Sequence, residues 1–87
     1  MALSDDFLDA QVRVKRLSKT PDASELLELY ALYKQGTMGD VSGERPGMLD
    51  FKGRAKYDAW AGKRGGTKEA AMQSYVVLVE KLAAKYA

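Results

Sequence analysis

Gly36-Thr37-Met38-Gly39-Asp40-Val41-Ser42-Gly43-Glu44-Arg45-Pro46-Gly47-Met48-Leu49-Asp50 is the one long irregular stretch in an otherwise helical pattern. Glycines 36, 39, 43 and 47 and Pro46 punctuate it, and such residues interrupt regular structure. Met38, Val41, Met48 and Leu49 are more apolar groups than a loose solvated tether carries, so an ordered loop packed on the body is expected. A short link would force its two helices into an antiparallel hairpin. A connection this long lets them run in the same direction.

Upstream, Leu3, Phe7, Ala10, Val14 and Leu17 recur at intervals of four, three, four and three, which is one buried face of a helix running to Leu17. Ser4 is placed to cap it, Asp5 and Asp6 suit the positive end of its dipole, and Lys15 and Arg16 suit the other end. Ser18-Lys19-Thr20-Pro21 breaks the pattern, because proline disfavours a helical conformation in the residue before it. Asp22 followed by Glu25 reads as a capping box opening a second helix. Its core stripe is expected at Leu26, Leu29, Tyr30 and Tyr33, with Leu27, Ala31 and Lys34 on the adjacent strip and Gly36 as its stop.

Downstream, Asp50 is placed to cap a short third helix to about Gly62, with Phe51, Ala55 and Ala59 on one face and Tyr57, Trp60 and Ala61 on another. Gly65-Gly66 closes it and Thr67 caps a fourth helix, in which Met72, Tyr75, Val79, Leu82 and Tyr86 recur at three and four residues. No segment alternates with period two long enough for a strand. The expected fold class is all-α: a single domain over residues 1–87, built as a four-helix up-down-down-up bundle with a long ordered loop between helices 2 and 3.

Fourteen basic and twelve acidic residues leave a formal charge of +2, too balanced for a chain that coats a phosphate backbone, so no nucleic-acid partner is expected. The chain has no cysteine and no histidine, which excludes disulfides, thiol catalysis, imidazole acid–base chemistry and thiolate or imidazole metal sites. The carboxylates do not converge, and neither GxxxxGK[ST] nor GxGxxG occurs. No catalytic residue, metal or cofactor is expected, and the chain does not read as an enzyme. The N-terminus lacks the basic start and apolar run of a secretory signal, and no 18 apolar residues run together. A cytoplasmic monomer without stable membrane insertion is the expectation.

On a helix, Tyr30, Tyr33 and Lys34 share one side of the rod, and Lys52 and Lys56 repeat the four-residue spacing on the third helix. Each admits a plain reading: Tyr30, Tyr33 and Tyr75 as core aromatics with wet hydroxyls, the lysines as a solvated face, Lys15 as a match to the helix dipole. Jointly, cations and rings suit a ligand that combines phosphates with a flat base.

The pattern YxxYKQxxxGD over residues 30–40, then RPGxxDxxxxAKxDAW over residues 45–60, resembles the acyl-CoA-binding protein family. Val14-Lys15-Arg16-Leu17 is similar to its first helix, and Ala71-Met72, Tyr75 and Val79 to Tyr86 to its last. The resemblance implies the up-down-down-up bundle and non-covalent binding, buffering and intracellular transport of medium- and long-chain fatty acyl-CoA esters, with transient acyl-CoA-using enzyme partners. It puts Tyr30, Lys34 and Lys56 at the 3'-phosphate and ribose of CoA, and Tyr33 and Tyr75 beside the nucleotide. Lys15 and Lys52 match further contacting lysines, Ala31 and Leu32 lie in the contacting stretch, and Leu27 lines the apolar trough. Tyr57 stands where the family commonly has Trp, and Ala61 to Gly66 is richer in glycine than usual. The competing expectation is a helical protein-interaction module without a lipid ligand.

Overall fold

The structure is a computed structural model that describes residues 2–86. Four helices appear: α1 (Leu3–Val14), α2 (Ala23–Met38), α3 (Phe51–Ala61) and α4 (Lys68–Lys85). No strand occurs among the described residues.

Local chemistry sets most of the helix starts. The Asp22 side chain accepts from the Glu25 N–H at 2.9 Å while Glu25 Oε1 accepts from the Asp22 N–H at 3.0 Å, the reciprocal capping box. Asp50 accepts from Gly53 N–H and Thr67 from Ala70 N–H, at 2.9 and 3.0 Å. Ser4 does not cap α1; it lies inside the helix, and Ala2 occupies the N-cap without a side-chain bond. The same helix stops at Val14, short of Leu17, because its last turn tightens to i→i+3 bonds, Lys15 N–H to Val12 O and Arg16 N–H to Arg13 O.

Gly36 is not the stop of α2. It sits inside the helix, where a Cβ would come 3.2 Å from Met72 Cγ and 3.4 Å from Phe7 Cζ, so its bare backbone lets α1 and α4 approach. Gly39 ends the helix instead, at φ 81° and ψ −150°, a region open essentially to glycine, with its N–H on Gln35 O.

Phe7 meets Tyr75 edge-on at 5.1 Å and Ser18 Oγ donates to the Tyr86 carbonyl, so α1 and α4 run in the same direction. Glu25 accepts from Lys85 Nζ at 2.8 Å and Tyr86 OH at 2.5 Å, while Gly36 faces Met72, so α2 runs against α4. Tyr30 meets Lys56, and Gly39 O accepts from Trp60 Nε1 at 2.8 Å, so α2 and α3 run together. The order is up-down-down-up.

The core is built by Phe7 and Ala10 of α1, Leu29 and Leu32 of α2, and Ala71, Tyr75, Val79 and Leu82 of α4. Among the helices, α3 packs on α2 alone, and Trp60 is its one buried residue. Packing α2 on two sides overturns the single expected stripe: Leu26 and Tyr33 are 44% and 39% exposed, whereas Leu32, Gln35 and Gly36 are buried.

Polar bonds, more than apolar packing, fix the loop between α2 and α3. Arg45 pairs with both Asp58 oxygens at 2.8 and 2.6 Å, and Tyr57 OH donates to Gly43 O at 3.0 Å. Asp40 Oδ1 accepts from Gln35 Nε2 and from Gly65 N–H, both at 2.9 Å. Met38, Met48 and Leu49, expected to pack inward, are 54, 75 and 91% exposed.

Candidate ligand-binding site

Because α3 hangs on α2 alone, α2 is a ridge with an opening on either side. One cleft, of about 470 Å³, is floored by Leu29, Tyr33 and Tyr75 and edged by Lys15, Lys19 and Thr20. The other, of about 480 Å³, lies between Ala23 and Leu27 on α2 and Phe51, Lys52, Ala55 and Lys56 on α3. Leu26 and Tyr30 line both, so the two clefts meet along the ridge. The first is aromatic and basic. The second is walled mainly by apolar side chains with two lysines at its border.

The cations along these clefts are not held in ion pairs among the described residues. Lys63 pairs with Glu28 at 2.7 Å and Lys85 with Glu25 at 2.8 Å. Among the described residues, Lys15, Lys19, Lys34, Lys52 and Lys56 have no carboxylate within ion-pair distance. Two of them rest on rings instead, Lys56 Nζ 5.5 Å from the Tyr30 centroid and Lys34 Nζ 4.9 Å from that of Trp60. A cation over a ring keeps its charge available, and a phosphate oxygen competes well for it.

Tyr75 is 4% exposed, and burial, then the neighbouring Tyr33, push its hydroxyl above the usual tyrosine value. It therefore stays a neutral donor on the floor of the cleft. Phe7, stacked on Tyr33 at 6.1 Å and edge-on to Tyr75, fixes both rings from beneath.

Of the residues expected at a site, Lys15, Tyr30, Tyr33 and Tyr75 border the first cleft, and Leu27, Tyr30, Lys52 and Lys56 the second. Lys34 stands on the same α2–α3 seam, one turn beyond Tyr30. Ala31 and Leu32 do not join them. Ala31 is 0% exposed, and Leu32, 6% exposed, faces a separate groove with Ala70 and Ser74 on α4. Sequence reasoning missed Lys19, Ala23 and Leu26 as cleft residues, and with them Thr20, Leu29, Phe51 and Ala55. Lys19 sits in what reads as a helix breaker and Leu26 in what reads as a core stripe, so only the packing brings them to a cleft.

A family model described as Acyl CoA binding protein matches residues 4–79. The chain is 54% identical over 80 residues to acyl-CoA-binding protein homolog 1 of Caenorhabditis elegans, covering 92% of this chain and 93% of that one. With the acyl-CoA-binding protein homolog of Drosophila melanogaster it shares 48% identity over 85 residues, 98% of this chain and 99% of that one. The crystal structure of Oryza sativa Acyl-CoA-Binding Protein 2 is 38% identical and matches with a TM-score of 0.91 over 95% of this chain and 90% of that one. The chain belongs to the acyl-CoA-binding protein family.

Proposed function

We propose that the chain binds medium- and long-chain fatty acyl-CoA esters non-covalently, buffering and transporting them, with the CoA head spread from the basic aromatic cleft across the Tyr30 ridge to the lysines at the border of the second cleft, and the acyl chain against that cleft's apolar wall. The observation that carries this reading is the meeting of the two clefts at Leu26 and Tyr30. A ligand with a charged, flat head joined to a long apolar tail matches that juxtaposition, and the named relatives support it.

In this reading Tyr30, Lys34 and Lys56 take the 3'-phosphate and ribose, Tyr33 and Tyr75 lie beside the nucleotide, and Lys15 and Lys52 add further cationic contacts. Leu27 meets the tail. Each buried methylene contributes about 0.8 kcal/mol, so chain length tunes affinity, while the charge-assisted contacts separate acyl-CoA from free fatty acid. We read the protein as a monomeric cytoplasmic carrier that meets acyl-CoA-using enzymes transiently and catalyses nothing itself. No helix among the described residues is long and apolar enough to cross a membrane.

Calorimetric titration tests the reading. Palmitoyl-CoA should bind tightly and one to one, CoA much more weakly, and palmitate more weakly still. Equal affinities for palmitate and palmitoyl-CoA would remove the role given to the head-group cleft.

A further inference from the structure

Met48, Leu49 and Phe51 stand out of the surface together, 75, 91 and 76% exposed. The next most exposed large apolar residue, Leu8, reaches 60% and lies on α1. Their turn is held in place. Asp50 N–H donates to Gly47 O at 3.0 Å, Asp50 Oδ1 accepts from Gly53 N–H at 2.9 Å, and the Arg45–Asp58 and Tyr57–Gly43 bonds anchor the chain just before and just after it. The apolar tips are therefore presented outward already ordered, which lowers the entropy cost of docking them.

The charges beside the turn have one dominant sign. Lys52 and Lys56 follow on α3 and are exposed, with no ion pair among the described residues. Asp58 is taken by Arg45, and Asp50 accepts the Gly53 N–H at the N-terminus of α3, so Glu44 and Asp50 are the acids of the segment without an ion pair among the described residues, against Lys52, Arg54 and Lys56. Phe51 also borders the apolar cleft.

We propose that this turn is a membrane-docking surface: Met48, Leu49 and Phe51 enter the interface of a bilayer while Lys52 and Lys56 meet anionic phospholipid headgroups. Protruding apolar tips flanked by lysines suit a fluid anionic interface, whereas a protein partner would have to offer a matching pocket for each. Docked in this way, the apolar cleft opens beside the lipid at Phe51, and an acyl chain passes between bilayer and cleft with little exposure to water. That last consequence rests on the acyl-CoA reading; the docking does not.

Sedimentation of the full chain with phosphatidylcholine vesicles, with and without phosphatidylserine and with no acyl-CoA present, tests the proposal. Binding is expected with phosphatidylserine, weakened by salt, and reduced at least about fivefold in a Met48→Ser/Leu49→Ser double variant. Both residues lie outside the clefts, so the palmitoyl-CoA titration of the variant should match the parent and shows that it is folded. Absence of binding to phosphatidylserine vesicles, or binding that survives the double substitution, overturns the proposal. So does a parent that runs as a dimer in gel filtration while the variant runs as a monomer, which would assign the patch to self-association. Vesicle binding without palmitoyl-CoA binding would support the docking and sink the acyl-CoA reading alone.

Discussion

Lys34 Nζ lies 4.9 Å above the Trp60 ring, and the same Trp60 donates its indole N–H to Gly39 O at 2.8 Å. One turn back on both helices, Lys56 Nζ stands 5.5 Å from the Tyr30 centroid. Each helix thus contributes one cation and one ring to the seam. A cation–π contact at an exposed site is worth about 0.5–1 kcal/mol, less than the roughly 1.5–3 kcal/mol of a hydrogen bond to a charged group. A phosphate oxygen therefore outcompetes the ring.

Lys34→Ala and Lys56→Ala should each weaken palmitoyl-CoA binding by at least about 1.5 kcal/mol, roughly tenfold, with little change in melting temperature. Calorimetric titration beside thermal unfolding checks both halves. A variant that fails to fold would show that lysine to be structural.

Leu27→Gln probes the other cleft. Leu27 is half-buried against Ala23 and Ala55 in the apolar cleft, so the substitution should cost palmitoyl-CoA about 1–2 kcal/mol of affinity and leave CoA binding unchanged. Equal losses for both ligands would contradict the placement of the tail.

Gln35 joins α2 to two loops. It is 1% exposed, and its Nε2 donates to Asp40 Oδ1 at 2.9 Å and to Gly66 O at 2.7 Å. Turning the amide over would set its oxygen against a carboxylate and a carbonyl, so its orientation is fixed even though Oε1 has no partner. Gln35→Leu should destabilise the fold by about 2–3 kcal/mol, because two acceptors lose their donor. Urea unfolding would read this as a lowered midpoint at unchanged slope, and an unaltered midpoint would refute it.

Stability should fall on the acid side. The Gly65 N–H and then the Gln35 amide hold Asp40 below its ordinary 3.8, and Lys85 and then Tyr86 hold Glu25 below 4.5. The Glu25 N–H does the same for Asp22, and Arg45 for Asp58. A depressed carboxylate contributes stability that is complete above its unfolded value and disappears as pH drops through its folded value. Melting temperature is therefore expected to be level from neutrality to about pH 5 and to decline below about pH 4, more shallowly in Asp40→Asn. An Asp40→Asn profile parallel to the parent would show that Asp40 takes no part.

The helix starts at Asp22, Asp50 and Thr67 are legible in the chain because a cap is a bond between residues three apart. The candidate site was legible in part. Tyr30, Tyr33, Lys34, Lys52 and Lys56 show helical spacing, and that spacing places them on common faces. Ala31 and Leu32, neighbours of the same motif, turn into the core, and no local pattern distinguishes them from Tyr30 or Tyr33.

By itself, then, the sequence determined four helices, the N-caps of three of them and a long connection that allows α2 and α3 to run together. The tertiary structure decided which face of α2 is core, why Gly36 is interior rather than terminal, and where the clefts open. These depend on Phe7, Met72 and Trp60, residues distant along the chain. Capping energies act over one turn of helix, whereas burial is set by whichever helices arrive at a face, and α2 is met on two.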